Sequence, residues 1–406
     1  MKDRDLRAVL EKLCFAGQKM AFVSGPRQCG KTTLARMLLK RRAQGRYCDW
    51  DDVEVRRAWA KQPRSLIPES GRSAPLVVLD EIHKAAAWKR TLKGVWDTLD
   101  APVDFLITGS ARLNVYRKGG DSLTGRYYHF RLHPFTLREM RQADAPRPDD
   151  ALATLFTRAR RCPRSGHDDF LALLRYSGFP EPLFAQDERR ARLWRRHRVE
   201  TVIREDLRDL SRIPELSRIE MLAALLPEKV GSLFSVASLR DDLEVSFDTA
   251  KRWVGLLRDL YYLYEIKPWQ SQIARSIRKE GKVYLWDHAE VVNEAARFEN
   301  LVANHLMKAC DFWTDSGEGQ FELYFIRNKE KQEIDFLVTR DRKPWLPVEI
   351  KLRDTEPSTN WKRFLPHLPC RQALQLTSER GCWRVHRAGD RELLVASAAE
   401  ALRYLP

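Results

Sequence analysis

At 406 residues the chain is longer than one hydrophobic core usually grows, so two or three domains are expected, and its 43% apolar content is enough to bury them. Lysine and arginine number 72 against 56 acidic residues, a formal charge of +16, which points to a polyanionic partner, nucleic acid being the commonest. The seven cysteines form no CxxC pair and no Cys/His ligand spacing, so a disulfide framework and a structural zinc site are excluded and a reducing cytoplasmic location is expected. No apolar run has the length of a membrane span, and the opening MKDRDLRAVLEKL reads as a charged amphipathic helix rather than a signal peptide.

The first strong signal is a short apolar strand over Met20–Ser24, then Gly25, Pro26, Arg27, Gln28, Cys29, Gly30, Lys31, Thr32 and Thr33, then a helix from Thr33 to Leu39. Strand, glycine loop and helix in that order form the phosphate-binding P-loop. Glycines let backbone N–H groups close around phosphate oxygens, Lys31 reaches the β and γ phosphates, and the Thr32 hydroxyl suits Mg²⁺. A nucleoside triphosphate with Mg²⁺ is the expected ligand pair. The buried-type strand Leu76–Asp80 follows and ends in two carboxylates, Asp80 for the metal and Glu81 to polarise the attacking water. A third strand, Asp104 to Ser110, ends in polar residues, and Ser110 is a candidate to sense the γ-phosphate. Leu123-Thr124-Gly125-Arg126 precedes a strand from Tyr127 to Leu132. Arg126, ahead of Arg112, is the candidate arginine finger, a role that needs a neighbouring copy of the chain. The alternation of strands and helices to about residue 140 predicts a doubly wound α/β nucleotide-binding domain.

Ala143 to Asp150, rich in Asp and Pro, reads as a linker, and residues 141–215 as a mainly helical region. Residues 216–270 carry a helix to Leu226, a short helix near Ser238–Leu243, a helix from Ser246 and a strand Tyr261–Ile266, the order of a winged helix-turn-helix. In its third helix Ala250, Trp253, Val254, Leu257 and Leu260 repeat at helical spacing and should face the core. Thr249, Lys251, Arg252 and Arg258 are left outward, where they can meet DNA.

Residues 271–406 hold a second chemical constellation. A helix spans Phe298–Leu306, and strands span Gln332–Val338 and Leu346–Leu352, joined through Arg340–Pro344. Ile334, Phe336 and Val338 alternate inward, with Glu333 and Asp335 on the other face; Glu349 and Lys351, two apart, share one side of the next strand. Asp335, Glu349 and Lys351 can converge, with Glu299 on the preceding helix. Such a set suits phosphodiester cleavage with Mg²⁺ or Mn²⁺, Glu299, Asp335 and Glu349 holding the metal and Lys351 positioning or activating water.

Taken in order, GPRQCGKTTLA, VVLDEIHK, FLITGSAR, the LTGR step, YSGFPEPLF, the 216–270 stretch, YLWDHAEV, FENLVANHL, QEIDFLV and PVEIKL resemble a prokaryotic family of AAA-type ATPases. The C-terminal half of that family is a domain of unknown function related to the PD-(D/E)xK nuclease fold. The resemblance implies ATP binding through Gly30, Lys31 and Thr32, Asp80 and Glu81 as Walker B acids, and Glu299, Asp335, Glu349 and Lys351 at the nuclease motif positions. The chain departs from it at Cys29, where a small aliphatic residue is usual, and in a long polar insertion from Arg141 to Gly166. Two functions are expected in competition. One is an ATPase that binds DNA and carries a metal-dependent nuclease site. The other is an ATP-driven switch, acting on a protein partner, whose C-terminal half binds without cleaving.

Overall fold

The apolar runs of the N-terminal third become the strands of one parallel sheet. A computed structural model describes residues 2–69, 71, 73–109, 123–141, 145–157, 164–206, 216–270 and 280–406. Contacts divide the chain into two units, Met1–Pro134 and Phe135–Pro406.

In the first unit β1 (Met20–Ser24), β2 (Gly45–Asp49), β3 (Leu76–Asp80), β4 (Asp104–Gly109) and β5 (Tyr127–Arg131) lie in the order β2-β3-β4-β1-β5, every neighbouring pair parallel. β1, β3 and β4 are buried along their whole length, as continuous apolar strands covered on both faces must be. β2 is polar and half exposed at the sheet edge, which is why its sequence carries little strand signal. Helices Lys31–Leu39, Val53–Lys61 and Trp88–Asp97 connect the strands. Trp88 and Leu92 pack with Phe22, Val77, Leu79 and Ile107 in one core layer. The opening segment is helical over Asp5–Phe15 and buries Leu6, Leu10 and Cys14, the face expected of an amphipathic helix. Because β1 lies between β4 and β5 while the chain leaves it for the far edge, the crevice beyond its carboxyl end is a topological switch point, where such sheets bind ligands.

In the second unit β6 (Leu233–Phe234), β7 (Leu263–Pro268), β8 (Gly281–Leu285), β9 (Phe321–Arg327), β10 (Glu333–Arg340), β11 (Lys343–Lys351), β12 (Gln372–Thr377), β13 (Trp383–Ala388) and β14 (Arg391–Ser397) form a mixed sheet ordered β13-β14-β12-β11-β10-β9-β7-β8-β6. Ahead of β7 come helices Leu216–Lys229, Val236–Leu243 and Phe247–Asp259, the last capped by the Ser246 hydroxyl, which accepts the Thr249 N–H at 3.1 Å. Ala250, Trp253, Leu257 and Leu260 are buried, Val254 is half buried, and Lys251, Arg252 and Arg258 are exposed. The strand expected from Tyr261 begins at Leu263 instead, because Tyr261 takes a left-handed φ of 57° that turns the chain out of the helix.

Two further differences bear on the site. The hairpin from β10 to β11 turns on Asp341 and Arg342 alone, at φ 50° and 65°, the mirror-type turn whose twist matches the strands, so Lys343 and Pro344 belong to β11 rather than to a loop. The pairing of β10 with β9 also shifts between Ile334 and Leu337. The irregularity breaks strict alternation, and Leu337 joins Ile334 in one core cluster while Phe336 is buried as well.

Candidate functional site

The loop after β1 is shaped by backbone that only certain residues allow. A Cβ on Gly25 would stand 2.2 Å from the Leu132 carbonyl oxygen, so only glycine fits. Gly30 takes φ 104° immediately before the helix, which starts at Lys31, two residues earlier than its apolar pattern suggests. Gln28, also left-handed at φ 60°, is exposed, Arg27 is half buried and Pro26 is buried. Cys29 is buried, and its thiol donates to the Leu132 carbonyl at 3.5 Å, so this departure from a small aliphatic residue still packs beneath the loop. Arg4, 4% exposed, donates to the Cys29 carbonyl at 2.8 Å and to that of His133, tying the opening helix to the underside of the loop.

Lys31 is laid back along the loop and donates to the carbonyls of Gly25 at 2.9 Å and Pro26 at 2.7 Å. Thr32 and Thr33 are exposed on the first turn of the helix, where the orphan N–H groups and the helix dipole favour an anion. The Thr32 hydroxyl donates to Asp80 Oδ2 at 2.9 Å. Asp80, buried at the end of β3, also accepts from the hydroxyls of Thr108 and Tyr47. Strand register explains both contacts, since Asp80 is paired with Thr108 on β4 while Tyr47 comes from β2 on the other side. Glu81, the next residue, leaves the strand at φ 57° and donates its N–H to the Thr108 carbonyl at 2.9 Å. Burial raises the Glu81 carboxyl above its ordinary range, with Lys31 pulling the other way and Asp80 adding to the rise. His83 Nε2 stands 3.4 Å from Glu81 Oε2 on a side chain almost wholly buried. The site thus combines a glycine loop at a helix start, a cation on a flexible stem, a hydroxyl–carboxylate pair, and a neighbouring carboxylate whose proton affinity burial has raised. Oxygen donors at Thr32 and Asp80 are of the kind Mg²⁺ takes, and this donor set fits the ion.

Arg126 is at the other end of β1. Its carbonyl accepts the Met20 N–H at 2.9 Å, and its guanidinium pairs with Asp97 at 2.6 and 2.9 Å, so within its own chain it does not reach the loop. Ser110 and Arg112 lie outside the described residues. Sequence reading missed Tyr47, Thr108, His83 and Arg4. Thr108 was open to discovery, being the polar end of a strand that must neighbour β3, whereas Tyr47 sits in a segment without a periodic signal and the contact of Arg4 joins positions up to 129 apart.

The second constellation gathers on β8, β10, β11 and the helix Glu294–Asp315. Asp335 Oδ2 accepts the Ile350 N–H at 2.7 Å across the hairpin. Glu349, 1% exposed, accepts through Oε1 from Lys351 at 2.8 Å, Asn360 at 3.0 Å and Ser358 at 3.2 Å, while its buried Oε2 has no hydrogen-bond partner. Glu299 Oε1 accepts from the Tyr284 hydroxyl at 2.6 Å and lies 3.6 Å from Lys282 Nζ. Burial, then repulsion from Glu299 and Glu349, holds the Asp335 carboxyl well above its ordinary range, and burial raises that of Glu299 against the pull of Lys282. For Lys351 burial opposes the charge, but Glu349 and Asp335 outweigh it and keep the ammonium proton more firmly held than usual. The four expected residues do come into one region. Among the described residues, however, no three His, Cys, Asp or Glu side chains are disposed to hold a metal ion together. Glu299 of the expected metal set instead contacts Tyr284 and Lys282, neither of which was read from the sequence.

Residues 17–141 match a family model described as an AAA domain. This region is a P-loop domain of the AAA type. Residues 167–297 and 295–387 match two further models, each described as a domain of unknown function. Uncharacterized proteins of Mycobacterium tuberculosis and Mycobacterium bovis are each 26% identical over 344 residues, covering 83% of this chain and 71% of theirs. Among solved structures, the Walker-type ATPase PABY2304 of Pyrococcus abyssi is similar with a TM-score of 0.43 and 15% identity, over 73% of this chain and 96% of that one. The Orc1 protein of Aeropyrum pernix in complex with DNA gives a TM-score of 0.33 and 14% identity, over 75% and 93%. No helix among the described residues is long and apolar enough to cross a membrane.

Proposed function

We propose that the protein is a Mg²⁺-dependent ATPase of the AAA type that binds DNA. The observation that carries the reading is the contact of Thr32 with Asp80 at 2.9 Å beneath a loop whose Gly25 admits no side chain. On this reading the N–H groups of Gly30 to Thr33 and the Lys31 ammonium cradle the phosphates, and Lys31 exchanges the carbonyls of Gly25 and Pro26 for phosphate oxygens. Mg²⁺, when bound through Thr32 and Asp80, supplies neutralisation of the charge that develops on the phosphates. Thr108 and Tyr47 orient the Asp80 carboxylate. Glu81, its proton affinity raised by burial, accepts a proton from the attacking water. Lys31→Ala should abolish phosphate release, and full turnover by that variant would sink the reading.

DNA binding is supported by the net charge and by the segment 216–270. Its order of three helices with a short strand after the first, followed by β7 and β8, which pair with each other and, through β8, with β6, is that of a winged helix-turn-helix. The exposed Lys251, Arg252 and Arg258 lie on its third helix. For the nuclease-like half a second reading is favoured by the Lys282 contact with Glu299, which stands where a metal-dependent phosphodiesterase needs its carboxylates free. That reading is a binding module that does not cleave while the lysine is in place. Plasmid and branched DNA incubated with Mg²⁺ or Mn²⁺, with and without ATP, separate the two. Cleavage by the wild type and none by Asp335→Asn would establish the nuclease.

A further inference from the structure

β8 delivers two side chains to the carboxylate cluster, Lys282 and Tyr284, two residues apart and therefore on the same face of the strand. Lys282 is 1% exposed although it carries a charge. Its ammonium stands 2.9 Å from Glu333 Oε1 and 3.6 Å from Glu299 Oε1, and 5.5 Å from the centre of the Phe325 ring. A lysine is almost never buried this far without a compensating anion, and here two carboxylates supply it. Glu333 is shared further with Arg327 at 2.7 Å, and Glu299 is hemmed in by Tyr284 and by Gly231, where even a Cβ would come within 3.0 Å of the carboxylate.

The opposite side of the cluster is different. Lys351 bonds Glu349 at 2.8 Å and keeps a third of its side chain in solvent, while the second Glu349 oxygen is buried with no hydrogen-bond partner. One side of the acidic group is thus neutralised by a fixed, enclosed ammonium, and the other retains an unspent carboxylate oxygen.

We propose that Lys282 is an internal counter-cation that holds, in the resting protein, the place of positive charge beside Glu299 that a divalent ion would otherwise take, so that the cluster accepts such an ion only when the lysine is withdrawn. Lys282 and the carboxylates around it are independent of the ATPase reading. It follows from competition between like charges: a fixed +1 a few ångströms from a buried carboxylate repels an incoming +2 ion and has already consumed the acceptor it needs.

The test is Mn²⁺ binding, followed by electron paramagnetic resonance on nucleotide-free full-length protein, with Asp335→Asn used to subtract ions held elsewhere. The wild type should show no binding dependent on Asp335 below the millimolar range. Lys282→Met, close in volume and uncharged, should gain such a site at least about tenfold tighter, and Asp335→Asn added to it should remove the gain. Tight Asp335-dependent binding by the wild type, or no gain in Lys282→Met, overturns the proposal. Should Lys282→Met lose its fold without metal, as the loss of the ammonium shared by two carboxylates could cause, Mn²⁺ should restore its circular dichroism and melting temperature; failure to restore them also overturns it.

Discussion

The two acids that end β3 occupy different surroundings, and their expected behaviour differs with them. Asp80 accepts from three hydroxyls, whereas Glu81 is half buried near Lys31 with its carboxyl raised. Glu81→Gln should therefore keep ATP binding while phosphate release falls by about 10²–10⁴-fold, measured by calorimetry and a release assay. Tyr47→Phe removes one of the three donors and leaves Thr32 and Thr108, so the melting transition should fall by no more than about 1 kcal/mol of stability. In the second unit, burial drives the His305 imidazole down to about 3; Nε2 accepts the Leu137 N–H at 3.1 Å, and Nδ1 donates to the Leu301 carbonyl at 2.8 Å. The folded state keeps this ring neutral, so its contribution is fully present above the ordinary value of about 6.5 and is lost as pH falls from there towards 3. Glu290 has the opposite sign: burial and the nearby Asp287 push its carboxyl up to about 7, so its cost appears as pH rises from about 4.5 through 7. Between about pH 4.5 and 6.5 the two effects oppose each other, so the test is a difference: His305→Gln should lose less stability than the wild type as pH falls below about 6.5, read from denaturation midpoints, and an identical dependence in the two proteins would assign the acid sensitivity elsewhere.

At the scale of elements, the loop between β1 and its helix is the least forgiving piece of the chain. Gly25→Ala brings a methyl against the Leu132 carbonyl, and displacement of either segment should cost roughly 1–3 kcal/mol, visible in thermal melts of the whole protein. This part of the fold was legible in the sequence because β1, β3 and β4 are continuous apolar runs, and because Gly25, Gly30, Lys31 and Thr32 keep a spacing dictated by phosphate geometry. β2 was not legible, since Gly45–Asp49 is polar, half exposed and held by its register with β3 rather than by its own pattern. The hairpin carrying Asp335 and Glu349 was readable as two strands, yet its true turn at Asp341 and Arg342 depends on two left-handed residues that are not glycine. Lys282 escaped notice for a different reason. Its meaning comes from β8 lying close enough to Glu299 and Glu333 for contact, a relation between segments up to 51 positions apart that no local pattern records.

For the molecule as a whole, a net charge of +16 makes affinity for DNA a function of salt. Neutralising six or more phosphates should lower the association constant by about 10³–10⁵ between roughly 50 and 200 mM salt, and a flat response in filter binding would exclude DNA as the partner. Strand order carries a consequence for biosynthesis. β1 is made early, yet both of its hydrogen-bonding edges wait for β4 at Asp104–Gly109 and β5 at Tyr127–Arg131, and the loop at Gly25 rests on Leu132, later still. Pairings so distant along the chain form slowly and late. A ribosome-bound chain should thus gain affinity for ATP only after residue 132 has cleared the exit tunnel, and until then the glycine loop is an exposed segment that nascent-chain chaperones can hold.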